Sequence, residues 1–249
     1  GRGLVAPWIT ITALLAGLAL GWLAARHSRS IARPAVDLSL LRIPTFGMPT
    51  LAGTLFRSGA GAVPFLLPLT LQLAFGLSAS GSGLVTFATA LGAFAMKPVV
   101  RPILRRFGFR TVLAVNGVLA TLSVAVCALF GPSWPMALIF AVLAAGGLAR
   151  SLQFTSLNTL SFADVPQAKL AAATALSGTV QQLSVALGVV LGSVTLSLST
   201  TLGGHEHPVL ADFRLAFLVA AVVALLSIPF ALRLPRDAGA AVSGHLPRP

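Results

Sequence analysis

The stretch FRSGAGAVPFLLPLTLQ, Phe56 to Gln72, decides what kind of molecule this is. RIPTFGMPTLAGTL precedes it and LAFGL follows, so Arg57 stands alone in a long apolar run among glycines and prolines. A lone charge in such a run must find protein or water around it, because hydrocarbon does not solvate it.

The rest of the chain has the same character. Of its 249 residues 56% are hydrophobic and 9% charged, against about a quarter charged in soluble domains. No soluble core hides that much apolar surface, so the solvent is largely lipid. The net charge of +12 does not indicate nucleic acid, because the basic residues cluster in short loops between apolar runs, as in cytoplasmic membrane loops. A single cysteine, Cys127, rules out an internal disulfide framework or a Cys-based zinc site, and its apolar setting marks it as a small packing residue.

Apolar runs of about 20 residues with at most one charge can each cross a bilayer. Seven are expected: Gly3 to Ala25, Phe46 to Leu77, Gly83 to Val100, Thr111 to Phe130, Pro135 to Phe162, a stretch within Leu170 to Ser199, and Leu215 to Leu232. GLSASGSG, RRFGFR, GPSWP, ADVPQAK and GGHEHPVLADF are the loops between them. The N-terminal run is not a signal peptide, because the basic ARHSR follows it and no cleavage site comes after. The chain therefore reads as a fragment of a longer protein. Residues 1–45 form a linker helix and cytoplasmic loop, 46–235 a six-helix bundle, and 236–249, rich in Gly, Ala and Pro, a disordered cytoplasmic tail.

Placing RRFGFR in the cytoplasm puts thirteen basic residues inside and only Arg2 and Arg214 outside. The N-terminus is then outside and the C-terminus cytoplasmic, in a cell inner membrane. Trp8 and Trp134 fall at the outer interface and Trp22 near the inner one. Helices two to four and five to seven form two triplets that start on opposite sides of the membrane. Each opens with a helix bearing a lone arginine, Arg57 or Arg150. Inverted three-helix repeats of this kind build halves of secondary transporters.

Eleven residues beyond Phe46, Arg57 lies about 16 Å deep. Burial of a charge there costs at least about 2.5 kcal/mol. At helical spacing Arg57, Gly61, Pro64, Pro68 and Gln72 share one small, polar face. Pro64 and Pro68 leave carbonyl oxygens without their helical donors. That face is expected to line a cavity, in preference to an arginine that fixes packing or snorkels to the inner interface. Arg150, in GGLARSLQFTSLN, lies about 22 Å from the outer face. Gln153 and Asn158 follow it at about one and two turns, and Gln153 joins the cavity-lining set. Asp37, Asp164, Glu206, Asp212 and Asp237 all fall in loops or at helix ends. The arginines' partners are then freed carbonyls, a group from the missing part of the protein, or an anionic substrate.

Arg105, Arg106, Gly108 and Arg110 make a basic loop in which Gly108 permits a tight turn. Helix six carries Gly178, Gln181, Gln182, Ser184, Gly188 and Gly192 on a close-packing face, with Gly188 and Gly192 as a GxxxG pair. Gly61, Pro64 and Pro68 also serve helix packing. His205-Glu206-His207 has no third ligand nearby and is read as a solvated loop, so no metal or cofactor is expected. With no nucleophile–base pair at membrane depth, an enzyme is not expected.

RRFGFR resembles the loop motif of the major facilitator superfamily, G-x-x-x-D-R-x-G-R-[RK], in its second-half copy. Arg106, Gly108 and Arg110 match, whereas Arg105 stands at the aspartate position and Phe109 at an arginine position. With PAVDLSLLRIPTF as linker, ADVP after the fifth span and ATALSGTVQQLS opening the sixth, the chain resembles the C-terminal half of the fourteen-helix drug:proton antiporters of that superfamily, the EmrB/QacA type. The resemblance implies proton-coupled export of small amphipathic compounds by alternating access, with Arg105, Arg106, Gly108 and Arg110 as a gating loop. Its implied partners are membrane lipid, a missing N-terminal half, a small-molecule substrate, protons and a periplasmic adaptor. A membrane sensor or scaffold built on the same all-α bundle is the alternative.

Overall fold

The computed structural model describes residues 37–245, together with Gly17, Leu23 and Arg26. Apart from Gly17 and Leu23, the expected span Gly3–Ala25 with Trp8 and Trp22 lies outside the described residues, as do positions 246–249. The described residues form helices and no strand. Six helical stretches are long and apolar enough to cross a membrane.

The first of these, Pro44–Ala74, is not one straight helix. Helix α1 (Pro44–Ala60) starts with Pro44 in its first turn, where a missing N–H is harmless and the fixed φ suits the helix. Gly61 and Ala62 turn the chain into α2 (Val63–Leu69), which carries Pro64 at its start and Pro68 inside. Neither proline can donate to a preceding carbonyl. The stretch Thr70–Ala74 then widens into a π turn, closed by Phe75 N–H donating to Thr70 O at 3.2 Å. Gly61 and Ala62 keep helical φ and ψ, so the face expected from Arg57 to Gln72 loses its register only at the π turn, before Gln72.

Helix α3 (Ala79–Met96) is capped by Ser78, whose Oγ accepts from Gly81 N–H at 3.1 Å. Helix α4 (Val100–Val126) absorbs the expected RRFGFR loop. Arg105 and Arg106 lie on its first segment, and Gly108, at φ 71° and ψ 162°, kinks it before Arg110. Glycine alone takes that φ without strain. Helices α5 (Met136–Ser161) and α6 (Leu170–Leu202) follow. The last span comprises α7 (Leu210–Leu225) and α8 (Ile228–Leu232).

The expected disordered tail is folded as far as the structure describes it. Ala238 is buried, a short α9 (Ala240–Ser243) sits between two left-handed glycines, and His245 Nδ1 donates to Arg105 O at 3.1 Å. Its small residues let it lie flat: Gly239 packs so closely on Phe109 and Leu160 that a Cβ would stand 2.7 Å from the Phe109 ring and 2.8 Å from the leucine.

Backbones meet where side chains vanish, as expected where no hydrophobic force drives helices together. A Cβ on Gly92 would overlap Ala144 O, and one on Gly147 would overlap Thr89 O, so α3 and α5 touch backbone to backbone. Gly188 of α6 sits on Ser58 O of α1 and on Gly61 just beyond it, and Gly192 sits on Ala62 and Leu66. Gly59 brings α1 equally close to Ala220 and Ala224 of α7. Helices α3 and α6 remain the least buried of the spans and expose Leu84, Phe94, Leu183 and Leu187.

One end of the bundle gathers Lys97, Arg101, Arg105, Arg106, Lys169 and Arg233, at the ends of α3, α8 and the starts of α4, α6. It is fastened by polar contacts. Thr45 Oγ1 donates to Asp164 Oδ2 at 2.8 Å, and Lys169 Nζ pairs with Asp37 Oδ2 at 2.8 Å. The hydrogen bonds from Lys169 and Ser39 hold the Asp37 carboxyl down at about 2.

Candidate functional site

Both intramembrane arginines are nearly enclosed, Arg57 at 6% and Arg150 at 8% exposure, and their surroundings differ. Arg57 points back along α1, as helical Cα–Cβ geometry directs. Its path is opened by Gly53, where a Cβ would collide with the guanidinium. Nη2 donates to Asn158 Oδ1 of α5 at 2.6 Å, and the guanidinium carbon lies 5.3 Å from the centroid of the Phe154 ring. An amide oxygen and an aromatic face thus take the place of an acid. These contacts make a clamp between α1 and α5.

Arg150 faces the other side of α5. Its Nε donates to Gly146 O and its Nη2 to Thr89 Oγ1 of α3, both at 3.3 Å. It borders a cavity of about 320 Å³ lined by Val63, Pro64, Leu67 and Pro68 of α2 and by Thr86, Thr89, Ala90 and Ala93 of α3. Arg150 is the one charged residue in that lining. Two long hydrogen bonds leave most of the five guanidinium donors without a described partner. The site is an apolar pocket with a single cationic wall.

Pro64 and Pro68 thus meet Arg150, whereas Gly61 faces α6 and Gln72 is half-buried in the π turn, outside the cavity lining. Gln153 is turned the other way. It accepts from Asn116 Nδ2 at 2.9 Å and donates to Leu113 O at 3.1 Å, and Asn116 also donates to Ala149 O at 2.8 Å. Its polar atoms are engaged between α4 and α5 at 2% exposure, so in this structure Gln153 ties the two helices together. Sequence reasoning passed over Asn116, whose signal was an amide alone in an apolar run.

At the opposite end, Asp212 is 2% exposed and heavily engaged. It accepts from Ser199 Oγ at 2.6 Å, Thr200 Oγ1 at 3.3 Å and Val209 N–H at 3.0 Å, and pairs with His205 Nδ1 at 3.1 Å. His205, expected in a solvated loop, therefore helps close the α6–α7 connection. Among the described residues no group of three metal-ligating side chains occurs.

Six apolar spans, crossings built on small residues and two arginines at membrane depth define a polytopic helical membrane protein. Residues 49–247 match the family model of the Major Facilitator Superfamily, and the chain belongs to that family of membrane transporters. Among curated proteins it is similar to the putative multidrug resistance protein MdtD of Salmonella heidelberg (strain SL476) and of Salmonella paratyphi A (strain ATCC 9150 / SARB42). The same protein of Salmonella typhimurium (strain LT2) matches equally well. Each is 32% identical over 249 residues, covering 94% of this chain and 50% of the relative. The chain thus spans about half the length of the curated relatives it matches.

Proposed function

We propose that this chain acts as the C-terminal half of a fourteen-helix secondary transporter of the inner membrane, one that exports small amphipathic compounds in exchange for protons. The observation that carries the reading is the alignment of proteins named for multidrug resistance across 94% of the chain. The exposed faces of α3 and α6 are what a second bundle would cover. The Arg150 pocket then supplies an apolar wall with one positive charge for part of the substrate. In this reading the basic end is cytoplasmic, by the charge asymmetry of the loops. The kinked segment with Arg105, Arg106, Gly108 and Arg110 moves as the two bundles rock. Protons are carried by a carboxylate of the upstream half, and a periplasmic adaptor receives the exported compound.

The test compares the whole protein with this chain alone in cells lacking their own efflux pumps, following expulsion of an amphipathic dye with and without a protonophore. The whole protein should expel dye until the proton gradient collapses, and the chain alone should insert without expelling it. Efflux by the chain alone, or efflux indifferent to the protonophore, overturns the reading.

A further inference from the structure

At the basic end, α4, α8 and the folded tail surround a cavity of about 470 Å³. Arg110, Arg236 and His245 contribute to its wall together with Phe107, Val115 and Leu232. The two halves of that lining differ in kind. Arg110 and Arg236 enter no ion pair among the described residues. His245 is fixed by the bond from its Nδ1 to Arg105 O. Its ring covers Gly108 so closely that a Cβ there would lie 2.7 Å from the imidazole. Asp237, next to Arg236 in sequence, lines a separate cavity with Thr45 and Asp164. Phe107, Val115 and Leu232 are instead about half exposed, at 49%, 58% and 50%, on helices whose outer surface meets lipid.

A free water-soluble anion has no use for that apolar side, and a neutral lipid has none for two unpaired guanidinium groups. An anionic amphiphile uses both. Guanidinium forks match phosphate oxygens in pairs, and basic residues at the membrane surface attract anionic headgroups. We propose that this cavity binds an anionic phospholipid. Its phosphodiester would sit between Arg110 and Arg236, and its first acyl methylenes would run along Val115 and Leu232. The lipid would then bridge α4 to the tail and hold the tail over the Gly108 kink. The inference stands on this cavity alone and does not depend on which solute the protein moves.

The experiment uses the chain purified and delipidated in a neutral detergent. It is titrated with dioleoyl phosphatidylglycerol, with dioleoyl phosphatidylcholine, and with inorganic phosphate, and read by native mass spectrometry and thermal unfolding. Phosphatidylglycerol should bind and raise the unfolding temperature, and the other two should do neither. Arg110→Gln and Arg236→Gln should each weaken phosphatidylglycerol binding by about fivefold. Arg101→Gln, a change at the same end outside the cavity, should leave it unchanged. Arg236 lies in the tail, so its variant decides the matter even if Arg110→Gln disturbs α4. Equal binding of the two lipids, or undiminished binding by Arg236→Gln, overturns the proposal. Phosphate stabilising as well as the anionic lipid overturns it too, because the site would then serve a free anion.

Discussion

Arg57 and Asn158 are joined by a 2.6 Å hydrogen bond from Nη2 to Oδ1, which ties α1 to α5 with no carboxylate. The guanidinium is buried and, among the described residues, this amide is the one side-chain oxygen that accepts from it, so removing the amide strands a charge, and stranded buried charges cost about 3–5 kcal/mol. Asn158→Leu should therefore lower the unfolding temperature sharply, and Arg57→Gln should lower it less. The double variant should be more stable than the sum of the single effects implies, with a coupling of about 1–3 kcal/mol. Additive losses in a double-mutant cycle would mean that the two side chains do not act as a pair.

Gly188 and Gly178 lie on the same helix, and only Gly188 is pressed against a neighbour. A Cβ on Gly188 would stand 2.7 Å from Ser58 O and 2.9 Å from the Gly61 carbonyl carbon, while nothing lies within 4 Å of one on Gly178. Gly188→Ala must push α6 off α1, an overpacking loss of about 1–3 kcal/mol. Gly178→Ala should be neutral or stabilising, since alanine is the better helix former by about 1 kcal/mol. Thermal unfolding of both variants in detergent checks this, and equal effects would remove the argument that this crossing sets the α1–α6 distance.

The Asp37–Lys169 pair closes the basic end and carries a pH signature. Its partners lower the Asp37 carboxyl from 3.8 to about 2. A carboxylate depressed on folding stabilises fully above its unfolded value and loses that contribution as pH falls through the folded one. The window is thus pH 3.8 down to about 2. Because Lys169 is 46% exposed, the pair is worth only about 0–1 kcal/mol and is screened by salt. A cycle of Asp37→Asn with Lys169→Gln should give a small coupling, constant from pH 8 to about 5, that fades below this window's upper edge. A coupling that grew on acidification would contradict the assignment.

These cases show what the sequence could and could not convey. The six described spans were legible because a bilayer demands uninterrupted apolar length, which residue types alone reveal. Small residues four apart, as at Gly188 and Gly192, have one common use in lipid, the close approach of helices. The splitting of the Arg57–Gln72 face was not legible. Helical spacing assumes a continuous α-helix, and the π turn at Thr70–Ala74 breaks the periodicity before Gln72. The tie from Gln153 to Asn116 was not legible either, because spacing from Arg150 does not say which neighbouring helix lies opposite, and that neighbour is α4. The tail's docking was hidden because its composition describes a chain without contacts, and its contact is the gap beside Gly108.

Orientation can be read by labelling single cysteines in a Cys127→Ser background. Exposed Ser80 and Glu206 lie at one end of the bundle and exposed Arg101 at the other. With the basic end inside, Ser80→Cys and Glu206→Cys should react with an impermeant reagent in sealed cells and Arg101→Cys only after lysis. Reaction of Arg101→Cys in sealed cells would invert the topology.

Arg150 is the one charge in the lining of the pocket between α2, α3 and α5, and in the proposed reading it meets the substrate. Its two hydrogen bonds are both 3.3 Å long, to neutral oxygens, and no acid lines the cavity. A guanidinium left this free in an apolar pocket is poised for an incoming anionic or strongly dipolar group. In the whole protein, Arg150→Gln should lower export of amphipathic anions by tenfold or more, since a hydrogen bond to a charged group contributes about 1.5–3 kcal/mol. Export of amphipathic cations should hold or rise, because the repelling charge is gone. Arg150→Lys keeps the charge and loses the planar fork, so it should rescue export of anions only in part. Thr89→Val removes one neutral partner and should leave the ranking of substrates intact. Transport assays with matched anionic and cationic dyes, alongside surface quantities of each variant, separate these effects from loss of folding. If Arg150→Gln exports both dyes as the native protein does, Arg150 is a packing residue like Arg57, and the substrate's charge is read elsewhere.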